Sequence, residues 1–215
     1  MITYAMTANE IRKEMDGDMH YIDGICNGME ITMPRKVRKF WRHTNHTDNV
    51  VVDIRRVKTP TRKNTVWVVY VLRLGEDLPV TYCCIFFEQL TKDGRVQLIF
   101  RATNPITFTH HTLSRMSERA GLGLKDAIET IAKSGAFYLA PYKYQGTIQS
   151  VLSLGVTGLC FCEKDDLGFV AKTFVSRAML DEDQDATLFA TLLESEIYST
   201  QKANEVVERK LAAPA

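Results

Sequence analysis

Apolar and polar positions follow two different rhythms along this chain, and the rhythm changes near residue 104. Upstream, four segments are rich in β-branched and aromatic side chains: 50–57, 65–74, 80–89 and 95–102. That composition suits a pleated strand. The breaks fall at 60–64, at 75–79 and at Lys92-Asp93-Gly94, and Asp-Gly between two apolar runs is a strong hairpin signal. The pattern predicts an antiparallel meander. In TVWVVYVLRL (65–74) the apolar residues are almost continuous, so this strand is expected to be covered on both faces.

Ahead of the meander the pattern is less regular. Residues 8–15 read as a short helix, with Thr7 as N-cap and Glu10 at the capping-box position. Gly17, Gly24 and Gly28 then suggest an irregular stretch, and Pro34 suits the first turn of a second, basic helix running to about residue 43.

Asn104-Pro105 marks the change of rhythm. The stretch THHTLSRMSERAGLGLKDAIETIAKSG (109–135) predicts a helix, a short break and a second helix, and Thr109 is the best N-cap candidate. A loop framed by Gly135, Pro141 and Gly146 carries Tyr138, Tyr142 and Tyr144. Strands are expected at 147–154, 158–163 and 169–176. A long helix is expected from residue 181 to about 210, opened by Asp181 and Gln184 at capping-box spacing and striped by Leu188, Leu192, Leu193 and Ile197.

This segregation of helices and strands argues an α+β fold. The N-terminal half would hold an antiparallel meander sheet. The C-terminal half would hold a helix pair, a small antiparallel sheet and a long terminal helix. The expected division is 1–104 and 105–215, unless the two sheets are continuous and form one domain.

Composition adds bounds. The chain has 215 residues, 45% of them hydrophobic and 25% charged, which suits a globular protein with a sizeable core. Net charge is only +1, but its distribution is uneven: residues 35–63 hold ten Lys or Arg against Asp48 and Asp53. Arg35, Lys36, Arg38, Lys39, Arg42, Arg55 and Arg56 are therefore candidates for binding a nucleic-acid backbone, with Phe40, Trp41 and Trp67 interleaved. The competing reading is a solvated helix and a sheet edge protected by charge. The tyrosine loop could stack bases or pack onto its own domain.

The five cysteines include Cys83-Cys84 and Cys160-x-Cys162 in strand-like runs, without the two-residue spacing usual for zinc. Reduced core thiols and a cytoplasmic setting follow. His43 and His46 have no third ligand near in sequence, and nothing in the pattern calls for a metal or a cofactor. No apolar run approaches the roughly 20 residues needed to span a bilayer.

The first helix of the 109–135 pair carries His111, Arg115 and Arg119 at four-residue spacing. On a helical wheel Arg115 and Arg119 fall about 40° and 80° round from His111, opposite Leu113, Met116 and Ala120. A wet helix face is one reading, with Glu118 placed to neutralise Arg115. Chemistry could use the same row: histidine moves protons near neutral pH, and arginine holds phosphate with parallel hydrogen bonds.

HTLSRMSER (111–119) resembles the His-x-x-x-Arg-Met-x-x-Arg helix of small bacterial toxin-like domains. Those domains are related to the RelE and BrnT ribonuclease toxins and, more distantly, to the barnase, EndoU and colicin ribonucleases. The phrase ITFTH before it, GLKDAIETIAKSG after it and the late FVAKTFVS are also similar to that family, so the resemblance spans 106–176. It implies a metal-independent endoribonuclease acting on RNA, with no cofactor. His111 would be general acid or base. Arg115, Arg119 and Lys172 would hold phosphate, and Thr173 and Ser176 would orient it. The chain departs from the family in its 105 leading residues and its terminal acidic helix. That helix suits intrachain packing or a homodimer seam. The alternative function is a non-catalytic nucleic-acid- or protein-binding protein of a phage or mobile element.

Overall fold

The computed structural model describes residues 1–41, 49–60, 62–73, 80–134, 139–144 and 147–184; side chains at 40, 41, 140–144 and 147–149 lie outside the description. In chain order the elements are α1 (Ala8–Trp41), β1 (Val50–Lys58), β2 (Thr65–Arg73), β3 (Val80–Leu90), β4 (Val96–Phe100), β5 (Ile106–Phe108), α2 (His110–Ala120), α3 (Leu124–Ser134), β6 (Leu139–Tyr144), β7 (Thr147–Ser153), β8 (Gly158–Lys164) and β9 (Phe169–Ser176).

All nine of these strands form one sheet, in the order β1-β2-β3-β4-β5-β9-β8-β7-β6. Neighbours are antiparallel except β5 and β9, which run parallel from Ile106↔Phe169 to Phe108↔Ala171. The sheet therefore runs without a break across Asn104. The meander β1–β4 follows the expected strand positions closely, and β2 is covered on both faces. Val66, Val68, Tyr70 and Leu72 join the apolar layer under α1, while Val69 and Val71 join the layer under α2 and α3. The fold is α+β, with three layers over β1–β4.

The N-terminal reading is corrected. The short helix, glycine-rich break and second helix are one 34-residue helix, and Pro34 lies inside it rather than at its start. Ile11, Met15, Ile22, Met29, Met33 and Val37 form a buried stripe at helical spacing along its whole length. Burying each contributes roughly 1.5–3 kcal/mol, against about 1 kcal/mol for each interior glycine and about 3 for the proline. The stripe outweighs the breakers. Pro34 is on the exposed side, so it interrupts none of the buried stripe; its cost is a missing N–H donor and crowding of the carbonyl one turn back. The capping box is present: Thr7 N–H donates to Glu10 Oε2 at 2.7 Å, and Glu10 N–H to Thr7 Oγ1 at 3.4 Å.

The expected tyrosine loop is also corrected, because Leu139–Tyr144 is strand β6, an edge strand paired to β7. Pro141 suits an edge, where a missing N–H costs no ladder bond. Tyr138 lies outside the described residues. The long helix among the described residues is N-terminal. Of the helix expected from Asp181, the first turn is described, with reciprocal Asp181–Gln184 capping bonds at 3.2 and 2.8 Å. Its apolar stripe and the proposed dimer seam lie outside the described residues, as do Arg42, His43 and His46.

Candidate nucleic-acid interface

Helix α2 is built onto β9 by backbone carbonyls that the sheet leaves open. β9 is bulged against β8, the pairing stepping from Phe161↔Thr173 to Cys162↔Ala171. β5 pairing ends at Phe108↔Ala171. Beyond that point α2 takes the neighbouring place. Thr109, its N-cap, accepts from Thr112 N–H at 3.1 Å and donates its hydroxyl to Ala171 O at 3.2 Å. Thr112, fully buried, donates to the same carbonyl. Arg119 donates from its guanidinium to Phe174 O. Leu113 and Met116 pack into the core between these polar ties, and Gly121 closes the helix at φ 65° in the left-handed region.

The row expected along this helix is thus divided. His111 is exposed and has no hydrogen-bond or ion-pair partner among the described residues. Arg115 pairs with Glu118 at 2.8 Å. Arg119 is half-buried and turned to the strand backbone rather than to solvent. On β9, Lys172 is exposed and pairs with Glu163 of β8 at 3.0 Å, while Thr173 and Ser176 are half-buried. α2 and β9 do lie together, but three of the four cations and imidazoles expected to share a site carry their own partners.

The basic segment divides as well, and the division leaves a clearer surface. Arg56 and Arg55 are successive strand residues, so they point to opposite faces of the sheet. Arg56 forms a two-bond fork with Glu88 at 2.9 and 3.1 Å and lies 5.6 Å over the Trp67 ring, whose Nε1 donates to the same carboxylate at 3.0 Å. This arginine and this tryptophan hold β1, β2 and β3 together and are not free for a ligand. On the α1 face, Asp53 receives both Lys36 and Arg55, the latter at 3.4 Å. Glu88 was invisible as a partner in the sequence, being 32 residues from Arg56 and adjacent only through strand register. Alternation of faces was the available signal.

Three cations of the candidate set have no acid partner among the described residues: Arg35, Arg38 and Lys39 are exposed on the last turns of α1. Among the described residues Arg38 makes only a 3.4 Å bond to Pro34 O one turn back. With Lys36 and Arg55 sharing a single carboxylate, this corner of the protein is strongly positive. Cations are also stabilised at a helix C-terminus by the macrodipole.

Comparison with known proteins finds no match. No family model, no curated protein and no solved structure matches this chain. No helix among the described residues is long and apolar enough to cross a membrane. The site must therefore be read from its own chemistry.

Proposed function

We propose that this protein binds RNA through the basic corner formed by the last turns of α1 and the edge strand β1. The observation that carries this reading is the set Arg35, Arg38 and Lys39, exposed on one helix end without a neutralising carboxylate among the described residues. Lys36 and Arg55 flank it over Asp53. Fixed positive charge of this density attracts a phosphate backbone through release of condensed counterions, largely without regard to base sequence. The reading places the protein in the cytoplasm, in keeping with its free thiols. A mobility-shift titration of single-stranded RNA tests it: a complex is expected at low salt that dissolves as salt is raised. Absence of a complex at low salt contradicts it.

A second reading, the metal-independent endoribonuclease, is favoured by one observation. His111 stands exposed and without a partner among the described residues, in the first turn of α2. The sequence of two helices followed by antiparallel strands also supports the resemblance on which that reading rests. In it, His111 moves the proton and Arg115, released from Glu118, holds phosphate. Its test is incubation of the protein and its His111→Ala variant with total RNA in excess EDTA. Discrete fragments formed only by the unaltered protein would support it, and intact RNA with both proteins would exclude it.

A further inference from the structure

Helix α1 and strand β3 bring two thiols together. Cys26 Sγ and Cys83 Sγ are 3.2 Å apart, close enough for one S–H to donate to the other sulfur. The residues are 57 apart in sequence, and both are only partly buried, at the margin of the apolar layer between α1 and the sheet. The remaining cysteines are placed differently. Cys84, next to Cys83, points through the other face of the sheet into the opposite core layer, where Cys160 and Cys162 are also buried. The chain therefore holds one thiol pair at contact distance among its described residues.

We propose that Cys26 and Cys83 form a redox modification site that a low-molecular-weight disulfide converts into a covalent tie between α1 and the sheet. The two sulfurs have distinct parts. Cys26 is the more exposed, and the hydrogen bond from Cys83 holds its thiol below the ordinary range, favouring thiolate there. Cys83 is pushed upward, first by that same hydrogen bond and then by burial.

The Cys26 thiolate attacks one sulfur of the small disulfide, forming a mixed disulfide and expelling one thiolate, which takes a proton. Cys26 then carries no charge, so the main influence holding the proton on Cys83 is gone. Cys83 gives its proton to solvent and attacks the Cys26 sulfur, expelling the second small thiolate. Two protein thiols become one S–S bond, and the small disulfide is reduced to two thiols, so electrons and protons balance. The closed loop spans more than 50 residues. Such a tie is expected to raise the thermal midpoint by roughly 5–15 °C.

The test uses the full chain with oxidised glutathione, followed by thiol titration under denaturing conditions, non-reducing peptide mass spectrometry and a melting curve. The expected result is loss of two of the five thiols, a Cys26–Cys83 cross-linked peptide and a higher midpoint, all reversed by dithiothreitol. The Cys83→Ser variant should stop at a glutathione adduct on Cys26, and Cys26→Ser should keep all its thiols. Melting curves of both unoxidised variants confirm that they fold. Five titratable thiols after prolonged exposure would overturn the proposal. So would a persistent Cys26 adduct in the unaltered protein, or thiol loss in Cys26→Ser.

Discussion

The guanidinium of Arg119 in α2 donates to the backbone carbonyl of Phe174 in β9. With Thr109 and Thr112 on Ala171 O, it lets a helix stand where the parallel partner β5 has ended. A charge-assisted bond of this kind contributes about 1.5–3 kcal/mol. Arg119→Gln is therefore expected to lower the urea-unfolding free energy by about that amount. Arg115→Gln breaks only an exposed pair with Glu118 and should cost about 0.5 kcal/mol or less. Equal effects would show that Arg119 is not a structural tie.

Asp18 interrupts the buried stripe of α1 and is itself fully buried. Its Oδ2 accepts from Thr59 Oγ1 at 3.0 Å and from Asn64 Nδ2 at 2.7 Å, so it fastens the β1–β2 connection to the helix. Asp18→Ala would remove both of these charge-assisted bonds and, among the described residues, leave Thr59 Oγ1 only Asn64 O and Asn64 Nδ2 only Glu14 Oε2, each at 3.3 Å, at a cost of roughly 1.5–3 kcal/mol. Chemical denaturation measures it, and a change under about 0.5 kcal/mol would mean the connection is held elsewhere.

Alkaline pH should loosen the sheet. Burial pushes the Tyr82 phenol up to about 12 and the Cys84 thiol up to about 12. In an unfolded chain these groups ionise near 10 and about 8.5. The folded protein therefore holds more protons, and their stabilising effect is complete below the unfolded values and lost as pH rises toward 12. Melting temperature should be flat to about pH 8.5 and then fall. Tyr82 also donates to Ala132 O at 3.3 Å, joining β3 to α3. Tyr82→Phe should make the fall between about pH 10 and 12 shallower; superimposable slopes would argue that the phenol is not buried in solution.

Gly158 opens β8 at φ 150°, and a Cβ there would lie 2.2 Å from Val175 O and 2.9 Å from the Phe174 ring. Gly94, at φ 75° in the β3–β4 turn, has open space around it. Gly158→Ala is expected to cost several kcal/mol and Gly94→Ala only about 1, since the second carries conformational strain without a clash. Comparing the two melting curves isolates the close approach of β8 to β9.

Much of this architecture was legible in the sequence. β-Branched runs gave the strands of the meander and of β7–β9, and Thr109 gave the start of α2. What failed did so for identifiable reasons. Gly17, Gly24 and Gly28 looked like punctuation because each is unfavourable locally, while the stripe from Ile11 to Val37 acts over about seven turns. Pro141 disguised β6 because only strand order reveals an edge. The His111–Arg115–Arg119 row looked continuous on a helical wheel, which has no record of the open carbonyls of β9. The basic segment looked like one surface until strand alternation sent Arg56 to Glu88 and left Arg35, Arg38 and Lys39 on α1.

The most direct test of the RNA-binding corner is the salt dependence of affinity, read by fluorescence anisotropy of a labelled single-stranded RNA. The protein would be compared with an Arg35→Gln, Arg38→Gln, Lys39→Gln variant and with a control, Lys125→Gln, on the exposed face of α3. For single strands each lost phosphate contact flattens the slope of log K against log salt by about 0.7. The triple variant should bind weakly at every salt concentration, with a slope about two units shallower, while the control matches the unaltered protein. Equal slopes for all three proteins, or no binding at low salt by any, would contradict the assignment of this corner to RNA.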